Sequence, residues 1–201
     1  MGSIRSFDIA EIKQRTGIST FVETGTLYGD GVDYALSCGF DRVISIEIEP
    51  KLVVQAEQKY KDNNKVEIVH GDSSTVIPEI TEFMEEPALF WLDAHFPGAD
   101  AGICEYTAEQ DYNRRLPLEA ELKAIHKRGK PDVIICDDLW IYEDGDYESG
   151  SFNDHCTRHG QNMTREQICG KNLDEICALF EPTHKIKKYY HQQGFIVFMP
   201  K

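Results

Sequence analysis

Two apolar runs in this sequence end in acid. Ala88-Leu-Phe-Trp-Leu-Asp-Ala-His95 reaches Asp93 and, two residues on, His95; Pro131-Asp-Val-Ile-Ile-Cys-Asp-Asp-Leu-Trp140 reaches Asp137 and Asp138 side by side. Carboxylates at the end of a core strand are costly unless they are solvated, paired or bound to a cation. Three of them together, Asp93, Asp137 and Asp138, would make an oxygen-only ligand set suited to Mg2+ or another hard divalent cation, with waters completing the shell. Successive strand residues point to opposite faces, so Asp137 and Asp138 can share one ion only if the chain bends there. The competing reading is that both cap the element that follows. His95 reads equally as a structural histidine or as a base close to Asp93.

A second set lies nearer the start. In Phe21-Val-Glu-Thr-Gly-Thr-Leu-Tyr-Gly-Asp-Gly31 the glycines fall as GxxxGxG. The dinucleotide fingerprint needs GxGxxG and a phosphate loop needs a closing GK[ST], so neither is met. Glu23, just before the first Gly, would also repel a pyrophosphate. That acid suits a ligand carrying an ammonium group and a ribose. Glu47 closes the next apolar run, where a carboxylate can accept both ribose hydroxyls. Asp72, in His70-Gly-Asp-Ser73, follows the third run and could accept from an adenine amino group. Each acid taken singly reads as well as a solvated loop residue or helix cap; three at successive strand ends after a Gly turn point to a site.

The elements that would position these residues alternate. Strands are expected at Ile18–Glu23, Val43–Ile48, Val66–His70, Leu89–Asp93 and Val133–Asp137, and helices at Gly31–Cys38, Lys51–Tyr60, Thr75–Met84 and Leu116–Lys127. In the last of these Leu118, Leu122 and Ile125 keep helical spacing. Such alternation implies a parallel sheet covered by helices on both faces. Leu173, Ile176, Cys177 and Phe180 suggest a final helix; Thr183–His191 and Phe195–Met199, joined by Gln192-Gln193-Gly194, suggest a hairpin. The expectation is an α/β, Rossmann-like three-layer sandwich with a seven-stranded, mostly parallel sheet and a C-terminal antiparallel hairpin, as one domain over residues 1–201. Phe96–Arg115 and Ile141–Met163 fit no element; each follows a strand ending in Asp, where long loops cover a site.

Composition narrows the partners. The chain has 201 residues, 41% of them hydrophobic, a size that allows a single sizeable core. No apolar run approaches the roughly 20 residues that span a bilayer, and Met-Gly-Ser-Ile-Arg-Ser-Phe-Asp lacks an apolar signal region, so a cytoplasmic protein is expected. A net charge of −14 disfavours nucleic acid and anionic membranes. Six cysteines without CxxC spacing read as free thiols. His155, Cys156 and His159 offer zinc-type ligands, but no partner pair stands at finger-like spacing.

VETGTLYGDG, VISIEIEP and VHGDS resemble motifs I, II and III of the class I S-adenosylmethionine-dependent methyltransferases, and the closing hairpin is similar to that family's last two strands. The resemblance implies S-adenosylmethionine as cofactor. Glu23, Gly25 and Gly29, with Thr24 between them, would hold its methionine part, Glu47 the ribose, and Asp72 with Ser73 the adenine. The family's first motif carries a Gly where Leu27 stands. LDAH followed by a strand ending in DD resembles the metal-dependent sugar O-methyltransferases of the macrocin methyltransferase type, and glycan methyltransferase domains of large algal viruses. It implies that Asp93, Asp137 and Asp138 bind Mg2+ beside a sugar diol, rhamnose being one candidate, with Asp93 or His95 as base. Tyr106, Trp140 and Tyr142 could stack on the sugar. The alternatives are a small non-sugar diol as acceptor, a related hydroxylase, or a cofactor-binding protein without catalysis. The acceptor is a small molecule or glycan, and the oligomeric state is open.

Overall fold

The computed structural model describes residues 3–106, 108–158, 164–169 and 173–201. A short 3-10 turn at Ile4–Ser6 leads into α1 (Ile9–Thr16), then β1 (Thr20–Thr24), α2 (Asp30–Ser37), β2 (Arg42–Glu47), α3 (Pro50–Tyr60), β3 (Val66–His70), α4 (Ser73–Phe83) and β4 (Ala88–Leu92). There follow α5 (Tyr112–Arg115), α6 (Leu118–Lys127), β5 (Val133–Cys136), a 3-10 turn at Leu139–Ile141, α7 (Phe152–Arg158), α8 (Arg165–Ile168), α9 (Asp174–Phe180), β6 (His184–Tyr189) and β7 (Phe195–Pro200).

The seven strands form one sheet in the order β3-β2-β1-β4-β5-β7-β6. β1 to β5 are parallel, and β7 runs antiparallel to both β5 and β6. Side chains of a strand alternate between faces, and here both faces are apolar. Val22, Ile44, Phe90, Leu92, Ile134 and Phe198 pack on one side with α4, α6 and α9. Phe21, Val43, Leu89, Trp91, Ile135 and Phe195 pack on the other with α1, α2 and α3. The expected three-layer arrangement and closing hairpin are therefore present.

Helix ends follow local chemistry. Pro50 opens α3, where its missing N–H costs nothing. Asp72 caps α4 by accepting from Ser74 N. α1 was not expected; it is bracketed by an Asp8 cap and by Gly17 in the left-handed region. The segments 96–115 and 141–163 also hold short helices, α5 and α7, which the sequence reading left unassigned. Among the described residues no helix is long and apolar enough to cross a membrane. All six cysteines are free.

Candidate active site

Chain order reverses between β1 and β4, and ligands of open α/β sheets bind in the crevice beyond such a switch point. Gly25 follows β1 there with φ +84°, and a Cβ on it would stand 3.1 Å from the Asp93 carbonyl oxygen. Only glycine lets the two strand ends approach this closely. The Thr24 hydroxyl fixes them together, its oxygen accepting the N–H groups of Asp93 and Ala94 at 3.3 Å each.

A first cavity, of about 90 Å³, opens above this crossing, and Gly25, Leu27, Glu47, Asp72, Ser73 and Asp93 are among its walls. Glu47 accepts from Leu27 N through Oε2 and from Glu49 N through Oε1, both at 2.9 Å, which clamps the Gly turn to the end of β2. Asp72 keeps one oxygen on the α4 cap and turns the other toward Arg114, 3.6 Å away. Glu23, Thr24 and Gly29, which the sequence reading also set around the ligand, are not among the lining residues. Gly29 lies against Tyr60, whose hydroxyl donates to its carbonyl at 2.8 Å. Glu23 is 2% exposed, accepts from Ser45 Oγ at 2.6 Å, and packs so tightly on Gly31 that any side chain there would collide with its Oε1. Burial pushes its carboxyl up to about 8; the Ser45 hydroxyl opposes this, and Asp93, Glu47 and Asp30 add to it.

Asp93, His95 and Asp138 converge. Each offers one potential ligand atom, and these atoms all lie within 4.8 Å of one another. His95 Nε2 hydrogen-bonds the Asp138 carboxylate, and its Nδ1 stands 3.4 Å from Asp100. β5 ends at Cys136 and Asp138 adopts a left-handed backbone, φ +54° and ψ +42°. This is the bend that two adjacent aspartates need to serve one region. Asp137 stays at the edge of the group: its Oδ1 accepts from Asp138 N at 2.7 Å, and its buried Oδ2 has no partner. Burial raises Asp93 to about 8, with His95 opposing and Asp138 and Asp100 adding, and burial followed by the Asp93 and Asp138 carboxylates raises Asp137 well above the carboxylate range. Burial works against charge on His95, but Asp138, Asp100 and Asp93 outweigh it and hold the ring protonated. Protons here do what a cation could do better, relieving repulsion among crowded carboxylates. The orphaned Oδ2 and the carboxylate-rich donors fit a divalent ion.

A second cavity, of about 190 Å³, lies on the far side of His95. Its walls include Phe96, Tyr106, Trp140, Phe152 and His155, so both long segments contribute as expected. The Phe96 and Phe152 rings stack at 6.2 Å, with Trp140 edge-on to Phe152 at 5.6 Å. His95, Phe96 and Asp100 line both cavities, Asp93 the first and Asp138 the second. Tyr142 is instead buried in the core. His155 and Cys156 lie on α7, whereas His159, the third candidate zinc ligand, falls outside the described residues.

Non-glycine residues with positive φ cost roughly 1–3 kcal/mol each and gather at functional sites. The described chain has four, Leu27, Phe96, Asp138 and Gln192, and the first three line the two cavities. Leu27, at φ +47°, thus holds the backbone a glycine would adopt freely.

Sequence reasoning missed Asp100, Arg114 and Glu121. Asp100 accepts from Tyr106 at 2.7 Å and flanks His95. Glu121, on α6, is 1% exposed. Its signal was available: it occupies the core-facing slot of the stripe Leu118, Glu121, Leu122, Ile125.

No protein-family model matches the chain, and no curated protein matches it by sequence. Solved structures do. A Podospora anserina methyltransferase with S-adenosylhomocysteine bound superposes with a TM-score of 0.62 at 16% identity, over 100% of this chain and 80% of that one. A Bacillus cereus O-methyltransferase in complex with S-adenosylhomocysteine gives 0.58 at 18%, over 100% and 82%. A candidate caffeoyl-CoA O-methyltransferase from Staphylococcus aureus gives 0.60 at 12%, over 100% and 85%. The chain has the fold of these S-adenosylmethionine-dependent methyltransferases.

Proposed function

We propose that the protein is an S-adenosylmethionine-dependent, divalent-metal-dependent O-methyltransferase acting on a sugar hydroxyl of a glycan or glycoside. The observation that carries this reading is the wall shared by two cavities, with His95 on both sides and carboxylates at either end. A cofactor at the first cavity and an acceptor at the second would meet there. Glu47 and Asp72 at successive strand ends support a ribose and an adenine in the first. The aromatic faces of Phe96, Trp140 and Phe152 support a ring-shaped acceptor in the second. The carboxylates, like the net charge of −14, disfavour an anionic acceptor.

S-adenosylmethionine, when bound, supplies an electrophilic methyl group. Asp93 and Asp138 would hold the divalent ion with the orphaned oxygen of Asp137, and the ion would lower the pKa of the acceptor hydroxyl. With the ion balancing the carboxylates that otherwise hold His95 protonated, the ring would be free to take the hydroxyl proton, and Asp138 on one ring nitrogen and Asp100 beside the other would stabilise the imidazolium. Phe96 and Trp140 exclude water and orient the ring, so the hydroxyl meets the methyl in line.

One observation favours a second assignment within the same function: a His95 nitrogen belongs to the 4.8 Å group and Asp137 does not. As a ligand, His95 would draw the site toward ions that accept nitrogen donors more readily than Mg2+. His95→Gln separates the two, since loss of a base lowers kcat at unchanged metal affinity and loss of a ligand lowers metal affinity.

The test is methyl transfer to a panel of sugars and catechols with Mg2+ or chelator, with S-adenosylhomocysteine affinity measured calorimetrically alongside. Chelation should abolish transfer while leaving cofactor affinity within about threefold, because the ribose and adenine contacts use other strand ends. Full transfer in excess chelator would end the metal assignment. Transfer to catechols alone would replace the sugar by another diol.

A further inference from the structure

The Gln192-Gln193-Gly194 turn does more than close the hairpin between β6 and β7, because Gln193 lines the second cavity together with His95 and Trp140. Two backbone bonds seat the turn on the segment that follows Asp138: Leu139 N donates to Gly194 O and Trp140 N to Gln193 O, each at 3.0 Å. Gly194, at φ +82°, packs so closely that any side chain there would collide with the Tyr147 ring. Gln192 is tied down in turn, its N–H donating to Glu148 Oε2 at 3.0 Å and its Nε2 to Ser6 Oγ at 3.1 Å. The turn is therefore a fixed part of the cavity wall, held by the same stretch that carries Asp138 and Trp140.

The Gln193 side chain is left over from this scaffold. The residue is 8% exposed, its Oε1 is buried without a partner, and no described residue bonds its carboxamide. Buried polar groups are satisfied as a rule, and desolvating an unpaired amide opposes folding. An apolar side chain of similar size would fill the place without that cost. A half-turn about the terminal bond exchanges the amide oxygen with the NH2, so the group can meet a ligand as acceptor or as donor. A hydroxyl does both and is its match, while Asp100 and Asp138 in the same wall disfavour an anion. Gln193 does not line the first cavity, whereas His95 lines both. The hydroxyl that receives the methyl group belongs at the shared wall, by His95, so the one that Gln193 meets is a different hydroxyl of the same acceptor.

We infer that Gln193 is a specificity-determining residue of the second cavity, its carboxamide pairing with a second hydroxyl and selecting neutral acceptors that carry at least two. This rests on the methyltransferase reading and narrows its acceptor class. A site with a buried hydrogen-bonding group rejects an analogue lacking the matching hydroxyl, because the group is then left unpaired.

The experiment is a cycle between residue and hydroxyl, with methyl transfer measured as kcat/KM. Methyl rhamnoside and other methyl glycosides are assayed, then the monodeoxy counterparts of the one accepted; where catechol alone is accepted, phenol takes that role. The unaltered protein should prefer the parent acceptor to one such analogue by at least about tenfold, the equivalent of one lost hydrogen bond. Gln193→Leu should lose about tenfold on the parent and less than about twofold on that analogue. Melting temperature should not fall, since no described residue bonds the amide, and S-adenosylhomocysteine affinity should stay within about twofold. Equal losses on every acceptor, or no loss on the parent, overturn the inference. If Gln193→Leu does not fold, Gln193→Met, unbranched and of similar length, enters the same cycle. An unaltered protein that transfers no methyl group to any of these acceptors, or binds no S-adenosylhomocysteine, removes the underlying reading and the inference with it.

Discussion

Replacing Glu23 by Gln tests whether the carboxyl buried against Gly31 is neutral in the native state. The acid is 2% exposed and raised from its ordinary 4.5 to about 8, by burial first, against the Ser45 hydroxyl and with Asp93, Glu47 and Asp30 adding. A native pKa above the unfolded one means that the folded protein binds the proton more tightly. The resulting stability is fully present below pH 4.5 and is lost as pH rises through 8. The gap, at ~1.36 kcal/mol per pH unit, makes the loss about 5 kcal/mol across that window. Gln has the shape of the protonated acid and can accept the same Ser45 hydrogen bond, so it keeps the packing on Gly31 and removes the titration. The assay is urea unfolding of both proteins, without ligand, at pH 5.5 and 8.5. The variant should be more stable by about 1.4 kcal/mol at the lower pH and by about 4.6 kcal/mol at the higher. Asp93 titrates in the same range, so the difference between the proteins, rather than either slope, is the quantity read. Parallel pH dependence would mean that Glu23 is ionised in the fold, and that its burial is offset by something other than a proton.

Three further perturbations follow from named contacts. Asp138→Asn keeps a residue that tolerates left-handed backbone, so stability should hold while the Mg2+ concentration for half-maximal transfer rises by about 100-fold or more as an anionic ligand is lost; a titration shows this, and an unchanged midpoint would exclude Asp138 as a ligand. Tyr106→Phe removes the hydroxyl that donates to Asp100 behind His95; one hydrogen bond, roughly 0.5–1.5 kcal/mol, predicts a loss of about two- to tenfold in kcat with cofactor affinity untouched, read from steady-state kinetics beside calorimetry. Tyr60→Phe deletes the single O–H that lies 2.8 Å from both Gly29 O and Asp33 Oδ1; urea unfolding should show a loss of about 1–2 kcal/mol, and no loss would mean that water replaces it.

The inner strands β4 and β5 were legible because strands buried on both faces read as continuous apolar runs, and the half-exposed edge strand Val66–His70 also matches to the residue. The hairpin was legible from its Gln-Gln-Gly turn. Short helices such as α5 and α7 were not, since four to seven residues are too few for a 3.6-residue period to show. The site was legible as a set of residue types at strand ends, but not as directions. Glu23 and Glu47 look alike in sequence, yet one sits beneath the Gly turn on Gly31 and the other on the cavity wall. What separates them is a tertiary fact: α2 crosses β1 so closely that Gly31 meets the acid.

Asp137 and Asp138 show the same limit from the other side. Alternation predicts that they diverge, and only a left-handed residue brings the second toward His95. Aspartate is among the few side chains for which that conformation is inexpensive, so the residue type that binds a cation is also the one that permits the turn. Backbone strain at Leu27, Phe96 and Asp138 then has one account: the three residues turn the chain at neighbouring strand ends around two cavities that share His95, Phe96 and Asp100. A fold selected for stability alone would place glycine at such positions. Here each strained residue instead contributes to the lining of the cavities.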